Sequence, residues 1–354
     1  MNSSISTSDP AVSARYIRRF LLCWLLLMLA PALFVVVVDP YQAIHRSFLD
    51  NPPFYKDNER YQVPGLIRHY LRDSDYNSVI IGSSLSSNFT TEHLQQHLGW
   101  NALNLSMRAS TLAERSFVLQ EAIRTGKVKH VLFEINPTDF MDDETDPRQD
   151  PAFPAYLYND SLAAKWRYYF NQTIVLQAAA VLLHDAGMEQ ANMLVAGKPV
   201  FEADAWGFGI NRWTNWLDSA ERSETFSRYN TRDNLLALHA DLEQKKPQQQ
   251  RENWEWRTDY PFTGVRKNLV ELVRNNPDVE FRIWFGAVSL LRYAGDINID
   301  AINRHVEIRR IITNELSGLP NVKIYSFDND MDIVGDLGNY MDVSHFSRAI
   351  LEKV

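Results

Sequence analysis

The run FLLCWLLLMLAPALFVVVV, from Phe20 to Val38, carries no charged residue. At about 1.5 Å rise per residue, a helix of this length reaches roughly the 30 Å of a bilayer's hydrocarbon core. Inside lipid every backbone polar group must find its partner within the segment, so a lone apolar run is restricted there to a helix. Pro31 falls inside the run, and a membrane helix tolerates it better than a soluble one. Arg15, Arg18 and Arg19 precede the run and Asp39 follows it, so the positive-inside rule places the N-terminus in the cytoplasm and the chain beyond Asp39 across the membrane. The rival reading is a cleaved signal peptide. Its apolar stretch is normally about 7–15 residues and closes on a small-x-small site, whereas this run passes into VVVVDPYQ. An uncleaved anchor is the expectation.

Cys23 is the only cysteine and lies within the apolar run. The exported part therefore holds no disulfide, and an apolar core must stabilise it. The 354 residues are 45% hydrophobic, enough for a large domain carrying an insertion. With 36 Lys and Arg against 44 Asp and Glu, the net charge is -8. No basic stripe is available to displace counterions from a phosphate backbone, which argues against a nucleic-acid partner.

Beyond a cytoplasmic 1–19, the span 20–38 and a juxtamembrane connection 39–76, residues 77–354 alternate between two hydrophobic periods. Five strand-like runs are SVIIG (Ser78–Gly82), NALNL (Asn101–Leu105), HVLFEI (His130–Ile135), EFRIWFG (Glu280–Gly286) and NVKIYSF (Asn321–Phe327). The intervening segments TTEHLQQHLG and TLAERSFVLQEAIRTGK open on threonine and close on glycine or lysine, as helices do. TGVRKNLVELVRNN and NIDAINRHVEIRRIITNELSG repeat apolar residues at three- and four-residue spacing. This alternation predicts an α/β fold, three layers α/β/α around a five-stranded parallel sheet. The alternation lapses over 141–262, read as a large insertion containing a helix in QTIVLQAAAVLLHDAG.

In such a sheet, ligands bind beyond the carboxyl ends of the strands. Four segments fall on that edge: Gly82-Ser83-Ser84, NLSMRAS, EINPTDF, and MDVSHFS in the loop before a final helix expected to start near Phe346. A hydroxyl attacks well at neutral pH only when a base takes its proton, and imidazole, with an ordinary pKa of about 6.5, is the usual base. Asp342, three residues before His345, can accept a hydrogen bond from the other ring nitrogen and fix the tautomer.

VIIGSSLSSNF and MDVSHFS resemble the first and last blocks of the SGNH (GDSL-like) hydrolases, a superfamily of lipases, esterases and acyltransferases. The resemblance is closer to membrane-anchored members that write the nucleophile block Gly-Ser-Ser, such as exported proteins of teichoic-acid D-alanylation and polysaccharide O-acetylation. It implies Ser84 as nucleophile, His345 as base and Asp342 as the orienting acid. The oxyanion hole it implies is drawn from the backbone of Ser84, Ser106 and the side chain of Asn136. It further implies a flavodoxin-like sheet, a bacterial inner-membrane anchor with the main domain periplasmic or extracellular, and no metal or organic cofactor. The activity implied is an O-acyltransferase or esterase acting on a cell-envelope glycan or similar polymer, with a membrane-bound acyltransferase as a possible partner.

Plainer readings stand beside these. GSS after a strand is also a turn and N-cap, and a shift of the nucleophile to Ser83 stays open. DVSHFS can equally cap the last helix. The acidic DFMDDETD is read as a solvated loop, because it lacks the spacing of a calcium loop, and His184, Asp185 and Glu189 show no zinc spacing. Trp206, Trp213 and Trp216, with Trp254 and Trp256, form either a sugar-stacking platform or core. Two alternatives to an enzyme are kept: a polymer-binding or assembly protein that retains the fold without the rate, and a structural protein of an envelope complex.

Overall fold

The computed structural model describes residues 10–46, 59–72, 75–89, 91–136, 139, 143–188, 240, 244, 259–290, 292, 299–336, 339–340, 344–346 and 350. In chain order its helices are α1 (Pro10–Val38), α2 (Glu59–Gly65, running on into the π-helical turn Leu66–Leu71), α3 (Thr91–Leu98), α4 (Leu112–Ile123), α5 (Leu162–Tyr169) and α6 (Gln172–Asp185). After these come α7 (Thr263–Val265, continuing through π-helical Arg266–Val270 to Glu271–Arg274), α8 (Ile299–Leu316) and α9 (Met331–Val334). The strands are β1 (Ser78–Ile81), β2 (Ala102–Asn104), β3 (His130–Ile135), β4 (Glu280–Phe285) and β5 (Val322–Ser326). The chain divides into two compact units, Met1–Pro53 with Ala155–Phe201, and Phe54–Pro154 with Glu202–Val354.

The first unit is helical. α1 is long and apolar enough to cross a membrane, a property that anchors and signal sequences share. From Phe20 to Leu27 its large apolar side chains are exposed, while Ala32, Val35 and Val38 nearer its end are buried. There α1 packs against α5 and α6, whose Ala164, Tyr168, Ile174, Ala178 and Val181 are also buried. The helix stops at Asp39, which takes a left-handed backbone conformation with φ 34°. The buried Asp39 carboxylate accepts hydrogen bonds from the N–H groups of Ala43, Ile44 and His45 and from the Tyr168 hydroxyl, at 2.7–3.0 Å. Each lone pair of the carboxylate is thereby matched, which is what makes its burial tolerable. Residues 155–201, within the segment 141–262 read as an insertion, group with the N-terminal helix.

The second unit is α/β. Its five strands are all parallel, in the order β2-β1-β3-β4-β5. β1 and β3 read as near-continuous apolar runs, as strands covered on both faces do. Val79, Ile81, Val131, Phe133, Phe281 and Ile283 alternate with Ile80, Leu132 and Trp284, and all are buried. Ile80, Leu132 and Trp284 join Leu85, Phe89, Trp100, Tyr340 and Phe346 in one apolar cluster. α4 starts on a capping box in which the Thr111 hydroxyl accepts from the Glu114 N–H and the Glu114 carboxylate from the Thr111 N–H, each at 3.2 Å. The strand order reverses at β1, since β2 lies on one side of it and β3 on the other. The ends of β1 and β3 therefore border the switch point at which open α/β sheets bind ligands.

Candidate active site

β1 ends at Ile81, and the chain turns through Gly82 and Ser83 into a 3-10 turn, Ser84–Asn88. Gly82 is dictated by space: a Cβ there would lie 2.2 Å from Ser86 Oγ and 2.5 Å from Glu134 Oε2. The Gly82 carbonyl accepts from the Met107 N–H at 3.0 Å and the Ser110 hydroxyl at 3.2 Å. Ser83 caps the 3-10 turn, its Oγ accepting from the Leu85 N–H. The sequence Ser-Leu-Ser-Ser-Asn takes this tight turn, because short hydroxyl and amide side chains compete for the backbone groups an α-helix needs.

Ser84 Oγ lies 2.7 Å from His345 Nε2, across 261 residues of sequence. Both side chains are half-buried. Each is held by its immediate neighbour: Leu85 and Phe346 are buried in the same apolar cluster. Phe346 meets Trp284 edge-on with ring centroids 6.1 Å apart, and pairs with Tyr340 in an isolated β-bridge. The Tyr340 hydroxyl donates to the Ala287 carbonyl at 2.7 Å. Burial raises the pKa of that hydroxyl, so it stays a donor. Phe346 thus sits in this bridge; of the helix expected from that point, residues 347–349 and 351–354 lie outside the described residues.

Beneath the turn is a carboxylate that the sequence reading did not single out. Glu134, fully buried at the end of β3, accepts hydrogen bonds from the Ser83 N–H at 3.0 Å, from the hydroxyls of Ser83 and Ser86, and from the Asn136 amide at 3.4 Å. Four donors on one carboxylate explain how a charge can sit inside the sheet. Its signal in the sequence was a lone acid in HVLFEI, where both faces of the strand are apolar. Arg115 of α4, also fully buried, donates to the Glu134 carbonyl at 2.8 Å and pairs with the carboxylate of Asp139. Asp139 Oδ2 accepts from the Asn136 N–H at 2.7 Å. Burial pushes the Asp139 carboxyl up to about 6, against the opposing pull of the Arg115 guanidinium.

The other expected residues are placed as follows. Asn136 Nδ2 donates to Ser83 Oγ at 2.9 Å, so the amide faces the network under the turn. The Ser106 N–H donates to Asn104 Oδ1 at 2.9 Å, while the Ser106 hydroxyl is buried with no hydrogen-bond partner among the described residues. Asn104 in turn donates to the carbonyls of Ser86 and Phe89, at 3.0 and 2.9 Å. It ties the end of β2 to the 3-10 turn, a role that NLSMRAS did not disclose. Ser83 is buried and bonded to Glu134, and Ser84 is the serine that meets the histidine. Asp342, Trp206, Trp213, Trp216, Trp254, Trp256 and Glu189 lie outside the described residues, as do the side chains of His184 and Asp185. Among the described residues no three His, Cys, Asp or Glu side chains come together as metal ligands.

The chain matches no family model, and no curated protein matches it.

Proposed function

We propose that the α/β unit is an SGNH-like, three-layer domain. In this reading it acts as a serine O-acyltransferase or esterase on acyl groups of a cell-envelope glycan or related polymer. One observation carries the reading: the 2.7 Å approach of His345 Nε2 to Ser84 Oγ, beside the switch point of a parallel sheet. With its proton on Nδ1, the imidazole accepts the Ser84 proton at Nε2 as Oγ attacks an acyl carbonyl. Asp342 is the partner assigned to Nδ1. Collapse of the tetrahedral intermediate expels the alcohol, which takes the proton back from His345, and leaves an acyl-serine. A sugar hydroxyl or water, deprotonated by the same imidazole, then receives the acyl group. Oriented binding of the acceptor and exclusion of water decide between transfer and hydrolysis. No metal or organic cofactor is needed for either outcome. α1 is read as a single bacterial inner-membrane anchor, N-terminus in the cytoplasm, with the exported part periplasmic or extracellular.

A second reading, a non-catalytic polymer-binding or assembly protein working beside a membrane-bound acyltransferase, is favoured by one observation. The Ser106 N–H and the Asn136 amide, two of the expected oxyanion donors, are engaged within the protein. Loss of one such donor costs about 10²–10³ in rate. Hydrolysis of an activated acetyl ester by the purified full chain separates the two. The enzyme reading expects turnover that falls about 10²–10⁴-fold in His345→Ala and to background in Ser84→Ala. Equal rates in the three proteins support the second reading.

A further inference from the structure

α5 and α6 carry an apolar face that the first unit leaves uncovered. Leu162 and Trp166 of α5 and Phe170, which caps its end, recur at four-residue spacing, which places them in one row along the helix. They are 74%, 49% and 47% exposed. The Trp166 and Phe170 rings stack, with centroids 5.2 Å apart and 21° between planes. Across the turn, α6 exposes Leu176 and Leu182, and Met188 follows. From Gln172 to Leu183 α6 contains no charged residue, although a surface helix ordinarily sets charge on its outer face. That segment is too short to span a bilayer, at about 18 Å for 1.5 Å per residue.

What covers this face is indicated by what it adjoins. α5 and α6 pack on the last turns of α1, and on those turns Leu33 and Val37 are exposed as well. The hairpin with the uncovered apolar side chains thus packs on the candidate membrane-spanning helix itself. At the same level Lys165 and Arg167 flank Trp166, and Arg167 stacks over the Tyr156 ring at 4.4 Å. Aromatic rings beside basic side chains with long aliphatic stems suit the headgroup boundary, where one end of a side chain is dry and the other wet. The Asp39 carboxylate ties the end of α1 to Tyr168 of α5 at 2.7 Å, fixing the hairpin to the helix at that boundary.

We propose that the α5–α6 hairpin is a membrane-interface element. Its exposed row of Leu162, Trp166 and Phe170, together with Leu176 and Leu182, lies in the acyl and headgroup boundary of the leaflet that α1 reaches at Val38. The anchor is then a span plus a half-inserted hairpin. The inference rests on reading α1 as a membrane anchor.

The test uses the full chain with Cys23→Ser, reconstituted in phosphatidylcholine and phosphatidylglycerol vesicles, with one spin-labelled cysteine at a time. Labels replace Leu162 or Phe170 on the row, Leu176 on α6, Leu25 in the span, and Asn159 as an exposed polar control. Collisions with oxygen, which partitions into lipid, are compared with collisions with a water-soluble nickel chelate. The expected result is that oxygen exceeds nickel several-fold at 162, 170 and 176, by less than at 25, and that nickel exceeds oxygen at 159. Row positions as open to nickel as 159, with 25 still lipid-exposed, overturn the proposal while leaving the anchor standing. Row positions closed to both reagents overturn it in favour of a protein partner or second copy. A label at 25 open to nickel refutes the anchor itself, and the hairpin proposal with it.

Discussion

Glu134 is the residue on which the geometry of the turn after β1 depends. Its carboxylate gathers donors from Ser83, Ser86 and Asn136, and the absence of a side chain at Gly82 leaves room for it. Glu134→Gln keeps the shape but turns one acceptor into a donor facing donors. The expected cost is about 1–3 kcal/mol, measured by chemical denaturation in detergent, together with slower acylation of Ser84. An unchanged midpoint and rate would show that the turn holds without the carboxylate. At this scale the site was legible in part. GSS and DVSHFS were visible as hydroxyl and imidazole in chain order, because residue type alone names that chemistry. Asn104 and Glu134 were not, because hydrogen bonds between strand ends depend on register, and the partners that tie both residues to the turn, Ser83, Ser86 and Phe89, are remote from them in sequence.

At the scale of elements, Ser84 and His345 meet because their neighbours Leu85 and Phe346 are buried in one cluster with Trp284. Phe346→Ala removes a fully buried ring. It is expected to cost about 3–5 kcal/mol in thermal or denaturant unfolding and to lower ester turnover by loosening His345. Phe346→Leu should recover most of the stability. Full activity in the alanine variant would mean that the histidine is placed by something other than this packing. The strands were legible to within a residue or two at each end, since an apolar run bounded by turn residues is a local signal. The grouping of α5 and α6 with α1 was not. Their apolar pattern is the same whether a helix packs on a sheet or beside an anchor, so nothing local distinguishes the two.

For the whole molecule, acid stability is expected to follow a buried histidine remote in sequence from the site. His305 on α8 accepts from Arg309 Nε at 3.0 Å and lies 3.1 Å from the Asp328 carboxylate after β5. Burial, reinforced by Arg309, lowers its pKa from 6.5 to about 3. Because the folded pKa is the lower, the unfolded chain binds this proton first. The contribution to stability is therefore complete above about pH 6.5 and is lost progressively as pH falls toward about 3. His305→Gln should flatten that part of the pH–stability curve, and an unchanged slope would place the titration elsewhere. The α/β alternation and the apolar run were legible at this scale because each rests on hydrophobic period alone. The chemistry joining the two ends of the second unit is tested most directly by locating the acyl group itself. The full chain is to be incubated with an activated acetyl ester, quenched in acid, digested and mapped by mass spectrometry. Acetylation confined to Ser84, abolished in Ser84→Ala and strongly slowed in His345→Ala, is the predicted result. A protein that stays unmodified, or that carries the acetyl group on Ser83 or on surface lysines alone, would contradict the account.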